Sequence, residues 1–136
     1  MIKLILTSLL FITSVYATDY KVVYNLTTPK ETNFEKAILK GIVDLQNHYE
    51  SQGDTLSVAV VISGGSYQFF EKKVSHSKEA LEALVKRGVK FEVCRVGMSK
   101  RKIPKDAMFP FVKLAFNKTA ALIEWQERDY SLINVE

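Results

Sequence analysis

One cysteine, Cys94, is present, so all thiol chemistry available to this chain rests on a single sulfur. A cysteine is an intrinsically good nucleophile near neutral pH, and a lowered pKa enlarges its thiolate fraction. Four cations, Arg95, Lys100, Arg101 and Lys102, follow within the basic run 95–104. Positive charge beside a thiol favours a thiolate, a persulfide or another anion, although the same charges also suit an ordinary solvated edge. Upstream, Ser63-Gly64-Gly65-Ser66 places two adjacent glycines where the backbone can turn tightly and bring amides close to a ligand. Neither the Walker nor the dinucleotide spacing surrounds them, so a plain connection is the competing reading. The candidate site is Cys94 as the reacting group, with Gly64, Gly65, Ser66, Arg95, Gly97 and Lys100 binding the ligand. It requires both loops to meet at the carboxyl ends of neighbouring strands.

Other chemistries find less support. His48 lies opposite much of an apolar helical stripe, and His76 sits between two serines at an expected helix start. Neither makes a metal-ligand pattern with Cys94, so no metal is assigned, and no cofactor is implied. Without a Cys-x-x-Cys pair, thiol–disulfide exchange would need a resolving thiol from elsewhere. Glu31, Glu35 and Glu50 have no pairing that spacing establishes. Trp125 and the other aromatic residues coincide with helix and strand faces, which makes them core or subunit-contact anchors and leaves nucleic acid without a binding stripe.

The elements that must position the thiol follow from hydrophobic period. Helix-like residues 78–87, with Leu81, Leu84 and Val85 inward and Ser75 or Ser77 available as a cap, end at Gly88. Val89, Phe91 and Val93 then alternate as in a strand and deliver Cys94 to its end. Residues 19–26 read as a first strand, ended by Pro29. Thr32 and Glu35 have capping-box spacing ahead of one long amphipathic helix bearing Phe34, Ala37, Ile38, Gly41, Ile42, Leu45 and Tyr49. The nearly continuous apolar run 56–62 suits a strand covered on both faces. Residues 67–74 are open between a short helix and a subunit contact, and 95–104 reads as a loop. Residues 111–116 form a fourth strand, 118–128 a helix carrying Ala121, Leu122 and Trp125, and 130–135 a fifth strand. Alternating strands and helices predict a three-layer α/β sandwich with a mainly parallel five-stranded sheet.

The 136 residues suffice for one core and not for two ordinary domains. Residues 1–17 are set apart: a short basic start, the apolar run 4–15, and Val15-Tyr16-Ala17 at a cleavage-like position predict a cleaved secretory signal. The run is too short for a normal membrane span, so no stable membrane insertion is expected once it is removed. Cleavage takes away Lys3 and no acidic residue, leaving a domain over 18–136 with a formal excess of three positive charges. With one cysteine, that domain cannot staple itself by internal disulfides, so its core must supply the stability.

Residues 84–94, Leu-Val-Lys-Arg-Gly-Val-Lys-Phe-Glu-Val-Cys, resemble the DsrE/DsrF-like family in a helix ending at Gly, then Val-x-Phe, then an apolar residue and Cys. The resemblance continues through 111–115 and 121–129, where Ile123 and Gln126 match, and more generally through strand 21–26, helix 34–49 and strand 56–62 leading into Ser63-Gly64-Gly65. Asp129 stands where relatives often have Gly, and Gly64-Gly65 where many have a His-Gly-like turn. The resemblance implies a small α/β sandwich assembled as a homo-oligomer, commonly a trimer or hexamer. In sulfur-relay members the matching cysteine carries a persulfide and passes its sulfur to a partner, so a sulfur donor or acceptor protein is implied as well. The signal adds a periplasmic or secreted location, apart from cytoplasmic tRNA thiolation. The expected function is therefore an exported sulfur-handling or sulfur-carrier protein with Cys94 as a transient persulfide site. The alternative is a non-catalytic α/β interaction or small-ligand-binding subunit with a structural cysteine.

Overall fold

The computed structural model describes residues 16–136, so the apolar run of the expected leader lies outside the described residues. Strand β1 (Asp19–Leu26) is followed by α1 (Glu31–Phe34), a π-helical stretch (Glu35–Lys40) and α2 (Gly41–Ser51). Next come β2 (Thr55–Ile62), a 3-10 segment (Gly64–Phe70), α3 (Lys78–Lys86) and β3 (Lys90–Cys94). The chain continues through α4 (Arg95–Lys100), a short 3-10 turn (Lys105–Ala107), β4 (Val112–Ala115), α5 (Lys118–Glu127) and β5 (Ser131–Val135). All five strands are parallel, in the order β4-β3-β2-β1-β5.

Strand alternation divides the interior into two layers. Val22, Tyr24 and Leu26 of β1, with Val58, Val60 and Ile62 of β2 and Phe91 and Val93 of β3, pack under Phe34, Ile38, Ile42, Leu81 and Leu84. On the other face Val23, Ala59 and Val61 meet Ala121 and Trp125 of α5. Topology explains the division. Right-handed crossovers that step from β1 to β2 and from β2 to β3 put their helices on one face, and the reverse step from β4 across to β5 puts α5 on the other. Buried Gln46 ties the larger layer together, donating to the carbonyls of Leu56 (3.3 Å) and Arg87 (3.4 Å) and accepting from Arg87 Nε at 3.1 Å.

Three local expectations change. The capping box does not form, because the helix begins at Glu31 with Lys30 as its cap; Thr32 already lies inside the first turn, and Thr28 Oγ1 accepts from the Lys30 amide at 3.1 Å. Ser77 stands at the start of α3 without using its hydroxyl; its carbonyl takes the Leu81 amide, and Ser75 Oγ takes the Ser77 amide. Leu45 is exposed, facing a groove shared with Tyr20, Tyr24 and Ile133. Asp129 adopts φ 68°, the left-handed conformation glycine takes freely, at the end of α5.

Glu92 sits on the α5 face of β3, where burial first and the neighbouring Glu124 second raise its carboxyl above the ordinary value of 4.5, against the opposing Arg128 and Lys113 charges. A raised folded-state pKa contributes stability that is complete below 4.5 and is lost as pH rises through the raised value. Glu92→Gln should therefore melt higher than the parent at pH 7, with the gain shrinking below pH 4.5. Thermal melts of both proteins across that range check it; an equal gain at both pH values would contradict it.

Candidate functional site

Strand β3 ends at Cys94, which pairs in register with Ala115 of β4 and serves as the cap of α4. The run expected to be a loop thus turns helical at once. Its cap is the thiol itself: the Gly97 amide donates to Cys94 Sγ at 3.4 Å, as an amide does to the serine or threonine oxygen of a conventional cap. Cys94 is 7% exposed, so the residue is buried beneath a surface feature rather than set on a convex surface.

That feature is a wide depression of about 650 Å³ outside the carboxyl ends of the strands, where parallel α/β sheets place their ligands. Every strand end contributes: Asn25 and Thr27 at the end of β1, Ser63 and Gly64 after β2, Cys94 and Gly97 at the end of β3, Asn117 and Lys118 after β4, and Glu136 after β5. Lys100 and Arg101 complete its basic side. The structure thus brings together Cys94, Gly64, Gly97 and Lys100 of the residues selected from the sequence.

The other three stand apart from the wall. Ser66 is fully buried, its hydroxyl donating to the carbonyls of Leu26 (2.8 Å) and Ser63 (2.7 Å), so it secures the turn instead of facing a ligand. Gly65 gives its amide to Thr27 O at 3.1 Å and lies against Pro29, where an added Cβ would come within 2.6 Å of the proline Cβ. Arg95 is exposed and lies outside the depression. The amides after Cys94 are partly committed as well: Val96 donates to Phe116 O at 3.4 Å, while Gly97 is aimed at sulfur.

Tyr67 supplies what the sequence reading left open. It lies in the 3-10 segment after β2, is buried, and its hydroxyl donates to the Cys94 carbonyl at 3.2 Å. The Arg101 guanidinium lies 5.3 Å from its ring centroid, a cation–π distance. Burial first, then the charge and hydrogen bonding of Cys94, outweigh Arg101 and push the phenol up to about 12. Tyr67 is therefore a neutral donor that fixes the cysteine backbone, and a poor general base. Its position, three residues beyond Gly64 in an aromatic run, was visible in the sequence; the inward turn that brings it to Cys94 was not.

His48 and His76 are both exposed, and neither lines the depression. Among the described residues no cluster of three or more His, Cys, Asp or Glu side chains is placed to hold a metal ion.

A parallel five-stranded α/β sheet presenting one thiol in a basic crevice at its carboxyl edge defines a small cysteine-bearing α/β domain. The chain belongs to the DsrE/DsrF-like family, whose sequence model matches residues 21–135. Membership points to a sulfur-relay-related role. The fold is also similar to that of MTH1491, a protein of unknown function from Methanobacterium thermoautotrophicum, with a TM-score of 0.75 at 16% identity over 85% of this chain and 99% of that one. No curated protein matches the chain.

Proposed function

We propose that this protein is an exported sulfur carrier that holds sulfur on Cys94 as a transient persulfide. The observation that carries the reading is the position of Cys94: a lone thiol at a strand end, lining an open basic depression, with an amide directed at its sulfur. The Cys94 thiolate attacks the outer sulfur of a donor persulfide. A new sulfur–sulfur bond forms, the donor's sulfur–sulfur bond breaks, and the donor leaves as a thiolate while the proton stays on the transferred sulfur. An acceptor thiolate reverses the step, so neither direction needs an external oxidant or reductant. Lys100 and Arg101 favour the anionic states on both sides of the transfer.

The carrier is proposed to work in the periplasm or outside the cell, after loss of residues 1–17, and as a trimer or hexamer. The apolar groove of Tyr20, Leu45 and Ile133 beside the open edge of β5 supports a subunit contact. Among the described residues no helix is long and apolar enough to cross a membrane.

Incubation with a small-molecule persulfide, followed by intact-mass and peptide analysis, should show one added sulfur on Cys94, removable by a reducing thiol and absent from Cys94→Ser. No adduct under conditions that load a free thiol would sink the carrier. The low exposure of Cys94 favours a second reading, a structural cysteine in a non-catalytic binding subunit. Labelling with a small electrophile separates the two: reaction in the native state supports the carrier, and protection until unfolding supports the structural role.

A further inference from the structure

We infer that the depression is also a binding site for a small oxoanion, either free or carried as the head of an organic molecule, and that this property stands whether or not Cys94 transfers sulfur. Three observations converge. Lys100, Arg101 and Lys118 all line the same wall, with Glu136 as the one acidic side chain among them. The ten-residue helix α5 begins there; Asn117 Oδ1 takes the Ala120 amide at 2.7 Å, while the amides of Lys118 and Thr119 lie in the first turn, before intrahelical partners exist. Such a helix start attracts anions through its free donors and its dipole.

The third observation separates this wall from an ordinary basic surface. Ser63 lines the depression, is 6% exposed, and its Oγ is buried without a hydrogen-bond partner. A buried hydroxyl without a partner is costly, and an anion oxygen in the depression would satisfy it. Asn25 lines the same wall with its Oδ1 buried and unpartnered, although its Nδ2 donates to Asn134 at 2.9 Å. It can accept from a hydroxyl, amine or thiol elsewhere on the ligand. Where the oxoanion is the head of an organic molecule, Asn25 favours a body that carries such a donor.

Titrating the purified protein with sodium phosphate, and separately with methylphosphonate, at ionic strength held constant by sodium chloride tests the inference. The first probe reports on a free ion and the second on a head attached to carbon. Amide NMR shifts should saturate and concentrate at Gly64, Gly97, Lys118 and Thr119. Lys118→Ala and Lys100→Ala should each weaken binding about tenfold, and Ser63→Ala about three- to tenfold, as loss of charge-assisted and neutral hydrogen bonds predicts. Lys102→Ala should leave affinity unchanged, because Lys102 lines a different depression with Glu71 and Asp106. Shifts that never saturate, or an equal loss in Lys102→Ala, would show only diffuse attraction to a basic protein and overturn the site. Neither readout involves sulfur on Cys94, so failure here leaves the carrier reading to its own test.

Discussion

Replacing Phe70 by alanine should lower the unfolding free energy by about 3–5 kcal/mol, the range for deleting a fully buried aromatic ring. Phe70 has no exposed surface. Its ring meets Phe34 edge-on at 5.7 Å and Phe91 at 5.4 Å, joining the first helix to the strand that ends at Cys94. Its carbonyl also accepts the Phe109 amide at 3.0 Å, anchoring the approach to β4. Collapse around the missing ring would require movement of helix and strand together, which places the cost at the upper part of the range. For a domain of this size the melting temperature should fall by on the order of 10–20 °C. Phe70→Leu should lose clearly less, since most of the volume is retained. Urea denaturation checks both; a loss below about 1 kcal/mol for the alanine variant would mean the ring is not in a packed core.

The second large effect is expected at Gly97. Gly97 lies inside α4, where alanine is ordinarily favoured over glycine by about 0.8–1.0 kcal/mol. Here a Cβ would occupy the position of the Tyr67 hydroxyl, 3.1 Å from Tyr67 Cζ and 3.5 Å from Cys94 Sγ. Gly97→Ala should therefore destabilise by about 1–3 kcal/mol, the cost of overpacking a filled site, despite the better helix former. Displacing Tyr67 also breaks its hydrogen bond to the Cys94 carbonyl, so the thiol of this variant should react faster with a small electrophile. Tyr67→Phe removes the atom in the way. In that background Cζ still stands 3.1 Å from the added Cβ, so Gly97→Ala should cost clearly less than in the parent, and a double-mutant cycle by thermal or urea unfolding measures the difference. A destabilisation of the same size in both backgrounds would show that Tyr67 and Gly97 do not share the space.

These two substitutions also mark where sequence reading stops. Phe70 belongs to a run of aromatic residues with neither a strand nor a helix period, and its burial depends on a 3-10 turn after β2 that no local spacing announces. At Gly97, a run of basic and small residues read as a loop, yet it closes into a short helix because the Cys94 sulfur accepts the Gly97 amide and Val96 donates to Phe116 across from β4. The partners of those contacts are distant in the chain or lie in side-chain geometry, so neighbouring residues alone could not reveal them.

The chain by itself determined what depends on local periodicity. The strand-forming residues of β1, the alternation in β3, the unbroken apolar run of β2 and the position of Cys94 at a strand end were all legible, because burial on one or both faces of a sheet dictates residue type directly. So was the gathering of Gly64, Gly97 and Lys100 in the same depression as the thiol. What only the tertiary structure decided was the orientation of side chains at the carboxyl edge. Packing of Ser66 into the β1 turn, exposure of Arg95 outside the depression, and arrival of Lys118 and Ser63 in the same depression as Cys94 follow from strand order and the crossing of α5 to the opposite face. Spacing along a chain fixes which face of its own element a residue occupies; which elements meet there is settled by the packing of the whole sheet.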